Sequence, residues 1–143
     1  MSPGGETSGL LERWRSSFES LNAGDVDAAL AVWGRDPVWD LSPMGLGVYE
    51  GLHAIRGFWE EWIGTYEDLN VHPEETLDLG GGVTFATVLQ QAHPARGSGE
   101  LSLRYAAVAE WAGGLVARIT NYSDIAEGRA AADVLADATK GRS

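Results

Sequence analysis

The chain has 143 residues, 44% hydrophobic and 22% charged, which is the balance of a single globular domain spanning 1–143 rather than of a disordered or fibrous chain. It holds no cysteine, and this excludes disulfides, thiolate nucleophiles and zinc–thiolate sites together. Its 10 basic and 21 acidic residues give a net charge of −11, and the arginines are scattered, so neither nucleic acid nor an anionic membrane is an expected partner.

The opening residues, MSPGGETSG, are small and polar and lack the basic and apolar regions of a secretory leader. No apolar run reaches the roughly 18–20 residues of a membrane span, so a cytoplasmic location is expected. After this short polar tail, Leu10, Leu11, Trp14, Phe18 and Leu21 fall at the spacing of an amphipathic helix over 8–21, which Asn22-Ala23-Gly24 ends. Asp25 is a natural N-cap for a second short helix with Val26, Leu30 and Trp33 on its inner side. Pro37 breaks that pattern, and 38–41 read as a short strand entering the glycine-rich stretch VWDLSPMGLGVYEG.

Leu52, Ile55, Trp59, Trp62, Ile63 and Tyr66 then give the strongest helical period, which decays at Gly64 and Asp68-Leu69-Asn70. Four β-rich runs follow, over 71–79, 83–92, 101–111 and 115–124. They are joined at Gly80-Gly81-Gly82, at the segment from His93 to Gly99, and at Ala112-Gly113-Gly114, which read as hairpin turns. An alanine-rich helix over 126–138 closes the chain. This order predicts an α+β fold with helices packed on one face of a curved antiparallel sheet.

Three segments, ALAVWGRDPVWDLSP, YEGLHAIRGFWEEW and GGLVARITNYSD, resemble the SnoaL-like branch of the nuclear transport factor 2-like superfamily over roughly 8–130. That branch has polyketide cyclases, ketosteroid isomerases and limonene epoxide hydrolases as relatives. The resemblance implies a cone of three helices in a bent sheet around a deep apolar pocket, and a homodimer through the outer face of the sheet. It also implies a place for Asp40. In ketosteroid isomerases the general base ends the first strand, before a loop and a helix start similar to Gly51-Leu52-His53-Ala54-Ile55-Arg56 here.

Two readings of Asp40 stay open. Facing the pocket, its pKa would be raised by desolvation and it would suit proton transfer. Facing away, it would close an Asx turn before Ser42-Pro43. The isomerase's enolate-stabilising tyrosine and aspartate fall at Ser17 and Ala107, so both donors are missing. An epoxide-hydrolase Arg-x-Asp is missing too, because Arg104 precedes Tyr105-Ala106 and Arg118 precedes Ile119-Thr120. The cyclase aspartate falls at Asn121, which can orient a carbonyl or water but not transfer a proton. Strand alternation groups Ile119 and Asn121 on one face and Arg118, Thr120 and Tyr122 on the other, with the first set expected inside.

Trp14, Phe18, Trp39, Trp59 and Trp62 are expected to converge on the pocket, core packing being the alternative for each. Arg104 is a polarising or anion-binding candidate if it faces inward, and a solvated charge otherwise. His53, His72 and His93 lack metal-ligand spacing, and Gly80-Gly81-Gly82 lacks the lysine of a phosphate loop, so no metal or cofactor is expected. The functional expectation is a cofactor-independent enzyme of cyclase, isomerase or hydrolyase type. It would move a proton on a small apolar or aromatic metabolite, with Asp40 as base and Asn121 or Arg104 polarising. The alternatives are a non-catalytic small-molecule binder and a dimeric adaptor.

Overall fold

Amphipathic spacing builds the helical half of the molecule much as expected. The computed structural model describes residues 3–94 and 99–140. Helix α1 spans Pro3–Asn22 and buries Trp14 and Leu21; it starts five residues earlier than the apolar period alone predicts. Asn22 fixes its far end, donating through Nδ2 to the Val71 carbonyl (3.0 Å) and accepting the Val71 N–H at Oδ1 (2.7 Å). Asp25 caps α2 (Val26–Leu30) by accepting the Ala28 N–H, as expected. Helix α3 (Leu52–Thr65) buries Ile55 and Trp59.

Trp33 and Tyr66, both read as helical, instead open strands. Strand β1 is Trp33–Asp40, twice the length expected, with Pro37 buried where its pairing with β6 breaks register. An edge strand, β2 (Val48–Glu50), pairs antiparallel to β1. Strand β3 is Tyr66–Gly80, and a bulge at Glu67/Asn70 absorbs the Asp68-Leu69-Asn70 segment. Then come β4 (Val83–Pro94), β5 (Leu101–Ala112), β6 (Leu115–Tyr122) and α4 (Ile125–Lys140). The connection between β4 and β5 lies partly outside the described residues.

The six strands form one curved sheet in the order β2-β1-β6-β5-β4-β3. It is not wholly antiparallel: β1 lies parallel to β6, with Trp39 opposite Ile119 and Asp40 opposite Thr120. That pairing places the end of β1 beside the end of β6. It joins segments about eighty residues apart, and so leaves no local signature in the sequence.

Each face of the sheet has its own core. On the concave face, helices α1 to α3 cover Trp39, Val88, Tyr105, Ala107, Trp111 and Ile119. On the convex face, α4 lies across Val83, Phe85, Ala106 and Val108 through Ala132 and Ala136. Arg129 of α4 also stands over the Phe85 ring. On the outer face assigned by resemblance to a dimer partner, the chain's own last helix thus covers one apolar patch. What that face still presents includes the Arg104–Glu74 ion pair.

Candidate ligand-binding cavity

Because strand side chains alternate, each strand crossing the concave face sends every second residue inward. β1 sends Trp39, β6 sends Ile119 and Asn121, β5 sends Ala107 and Tyr105, and β4 sends Gln90. Under the helices these side chains line a cavity of two lobes. The inner lobe, about 50 Å³, is closed by Trp14 and Phe18 of α1 and by Trp33 and Trp59. The outer lobe, about 20 Å³, is closed by Phe58 and Trp62 of α3 and by Met44 and Leu46 of the loop after β1. Trp39, Trp59, Tyr105 and Asn121 line both lobes and form the waist between them.

The aromatic wall is continuous. Trp39 stacks on Trp59 with ring centroids 5.1 Å apart and meets Phe58 edge-on at 5.2 Å; Phe58 in turn stacks on Trp62 at 5.5 Å. Such pairs stabilise by about 0.5–1.5 kcal/mol each beyond area burial, so the wall is stiff as well as apolar.

Polar groups inside the cavity are few and neutral. The Trp39 indole N–H donates to Asn121 Oδ1 at 3.4 Å, and the Tyr105 hydroxyl donates to Gln90 Oε1 at 3.3 Å. Ser17 also lines the inner lobe, and its hydroxyl donates to the Ala29 carbonyl (2.8 Å). Trp62 Nε1 is buried and has no hydrogen-bond partner among the described residues. Of the described residues lining the two lobes, Tyr105 alone is ionisable, and its burial pushes its pKa up, away from the neutral range.

The structure therefore gathers Trp14, Phe18, Trp39, Trp59, Ile119 and Asn121 around the inner lobe, and Trp62 at the outer one. Tyr105 and Gln90 escaped the sequence reading as site residues. The alternation of β5 does place Tyr105 on its apolar face, but an apolar tyrosine there reads as core.

Asp40 and Arg104 line neither lobe. Asp40 follows Trp39, and successive residues of a strand cannot share a face; with the indole inside, the carboxylate is outside. There it accepts the backbone N–H and hydroxyl of Ser42 and pairs with Arg118 at 2.6 Å, its side chain 15% exposed. The Ser42 hydroxyl, the Ser42 N–H and the Arg118 guanidinium hold its pKa below the usual carboxylate value, against the opposing pull of desolvation. This corrects the expectation of a pocket-facing acid with a raised pKa: Asp40 closes the Asx turn.

The loop it fixes carries Met44 and Leu46 onto the outer lobe. Gly45 turns that loop in the left-handed region (φ 78°), and a Leu41 N–H bond to the Gly47 carbonyl (2.8 Å) closes it. Arg104, next to inward-facing Tyr105, points outward for the same reason. It makes a two-point pair with Glu74 of β3 (2.6 and 3.0 Å), which corrects its placement as a cavity residue.

Among the described residues no group of three or more His, Asp or Glu is arranged to hold a metal, and no helix is long and apolar enough to cross a membrane. A model of the SnoaL-like domain matches residues 14–119. No curated protein matches the chain.

Among solved structures, an NTF2-like protein of unknown function from Burkholderia pseudomallei is 20% identical, with 83% of this chain and 93% of that one covered and a TM-score of 0.70. A protein of ketosteroid isomerase-like fold from Catenulispora acidiphila, in complex with trimethylamine, is 12% identical over 79% and 83% of the two chains, with a TM-score of 0.68. TerC co-crystallised with polyporic acid is 16% identical over 85% and 96%, with a TM-score of 0.70. At these identities the likeness is one of fold.

Proposed function

The chain belongs to the SnoaL-like domain family, and on that premise we propose that its two-lobed cavity binds a small, largely apolar molecule without protein-supplied acid–base chemistry. One observation carries the reading. The cavity is walled by aromatic rings, and among the described residues its only ionisable lining group is a buried tyrosine held in its neutral form. A proton-transfer enzyme needs a group in the cavity whose pKa lies near the working pH. The acid expected to serve, Asp40, is engaged on the opposite face. Similar folds crystallised with trimethylamine and with polyporic acid support small-molecule binding by this fold.

The room available sets the scale of the ligand. At roughly 10–15 Å³ for each water-sized position, the inner lobe's 50 Å³ suits a molecule of about one small ring. Titration with cyclopentanone and with methylenecyclopentane, followed by intrinsic tryptophan fluorescence, tests the reading. A saturable change is expected with at least one of them. Ala107→Val, which adds two methyl groups at the inner lobe, should weaken it tenfold or more. A wild-type protein that responds to neither compound has no such site.

A further inference from the structure

We infer that the waist of the cavity recognises a neutral hydrogen-bond acceptor, a carbonyl or ether oxygen, on the bound molecule. This rests on the cavity being a ligand site and adds what the site reads. Four adjacent strands, β1, β6, β5 and β4, deliver Trp39, Asn121, Tyr105 and Gln90 to the concave face as a polar belt between apolar lobes. Asn121 lies directly opposite Ala107, and Tyr105 is one diagonal step away on the same face.

The donors and acceptors of this belt do not balance. An indole N–H can only donate, so the Trp39 bond commits Asn121 Oδ1 and leaves the Asn121 amide NH2 over. The Tyr105 hydroxyl commits Gln90 Oε1 in the same way and leaves the Gln90 NH2 over. Farther out, the Trp62 N–H is buried without a partner among the described residues. The unspent N–H groups can only donate, whereas both amide oxygens of the belt already accept a bond. The two bonds that hold the belt, 3.4 and 3.3 Å, are long against the usual ~2.9 Å. An incoming oxygen competes with them at little cost.

The charge balance fixes the rest. Among the described residues no arginine or carboxylate lines either lobe. Arg118 pairs with Asp40 and Arg104 with Glu74, both on the far side of the sheet. A carboxylate ligand would find no cation there, and an ammonium ligand would find aromatic faces but no anion. An uncharged molecule with its ring in the inner lobe and its oxygen at the waist satisfies the donors and leaves no charge unpaired.

Cyclopentanone and methylenecyclopentane differ only in an exocyclic oxygen against an exocyclic CH2, so they isolate the acceptor. Their affinities are measured for the wild type and for Asn121→Leu, with tetramethylammonium as a third ligand. The ratio of hydrocarbon Kd to ketone Kd is expected to fall at least tenfold in the variant, because differences in hydration cancel between the two proteins. In the wild type, the side-chain amide resonances of Asn121 should shift with the ketone and not with the hydrocarbon, a readout that survives if the variant fails to fold. An unchanged ratio with both compounds bound, an unmoved amide, or tetramethylammonium binding tighter than the ketone overturns the inference and leaves the cavity standing as a ligand site. Failure of both cyclopentanone and methylenecyclopentane to bind overturns both.

Discussion

Asp40 shows how one residue's meaning turns on its neighbour. Its sequence surroundings placed it at the end of a strand before a loop, which is correct, and Trp39 was expected in the same pocket. Period-two alternation forbids both, and the larger apolar side chain takes the buried face because more area leaves water. The carboxylate was left with the turn.

Its work is therefore stability, and a sign follows for pH. Its folded pKa lies below the ordinary value of 3.8. Asp40 thus stabilises the fold at all pH above that value, and the contribution is lost as pH falls through the lowered folded pKa. Asp40→Asn keeps an oxygen for Ser42 but loses the charge toward Arg118, which is 41% exposed and can turn to solvent. A loss of about 1 kcal/mol in urea-denaturation stability at pH 7 is expected. The gap should narrow as the pH falls below 3.8, with ligand affinity within threefold of wild type throughout. A collapse of binding in this variant would return Asp40 to the cavity's chemistry.

Among the elements, helices were legible where their apolar period was long, as in α1 and α3. Both aromatic residues at helix borders, Trp33 and Tyr66, were misread because a bulky apolar side chain suits a buried strand as well as a helix face. Edge strand β2 and the parallel contact of β1 with β6 were invisible for another reason. Three residues carry no period, and strand direction depends on where distant segments meet. The closing helix was expected, but what it packs against was not.

Its buried side is Gly128, Ala132 and Ala136, four residues apart and all small, which lets α4 lie close on the sheet. A Cβ built at Gly128 would meet the Ala106 Cβ at 2.7 Å and Tyr122 at 3.2 Å. Gly128→Ala should therefore lift the helix and cost about 1–3 kcal/mol. Gly57 in α3 gives the opposite case, since nothing lies within 4 Å of its Cβ position. Gly57→Ala should add about 0.5–1 kcal/mol by helix propensity and reduced unfolded-state freedom. Thermal denaturation of the two variants side by side reads both signs, and a shift in the same direction for both would contradict this account of α4.

At the scale of the whole molecule, the cone and its apolar interior were foreshadowed by the tryptophan-rich helices and the run of strands. On the outer face of the sheet, where resemblance places a dimer partner, α4 packs on the patch of Val83, Phe85, Ala106 and Val108. Charge is the remaining global term. With 21 acidic and 10 basic residues, one-to-one pairing would still leave at least eleven acids without a partner. The described ion pairs Arg56–Asp27, Arg104–Glu74 and Arg129–Asp133 all have partly or well exposed members. Each such pair contributes only about 0–1 kcal/mol. Added salt weakens these attractions and the surplus repulsion together, and at a net charge of −11 the repulsion is the larger sum. Raising sodium chloride from 20 to 500 mM at pH 7 should stabilise the fold by about 1 kcal/mol, near 3–4 °C in Tm for a chain of this length. Chloride rather than sulfate is the salt to use, because sulfate strengthens apolar burial in any protein and would mask the electrostatic part. A Tm that falls with salt would mean that the few ion pairs outweigh the unpaired acids, so that the acidic surface is arranged in compensated clusters rather than merely in excess.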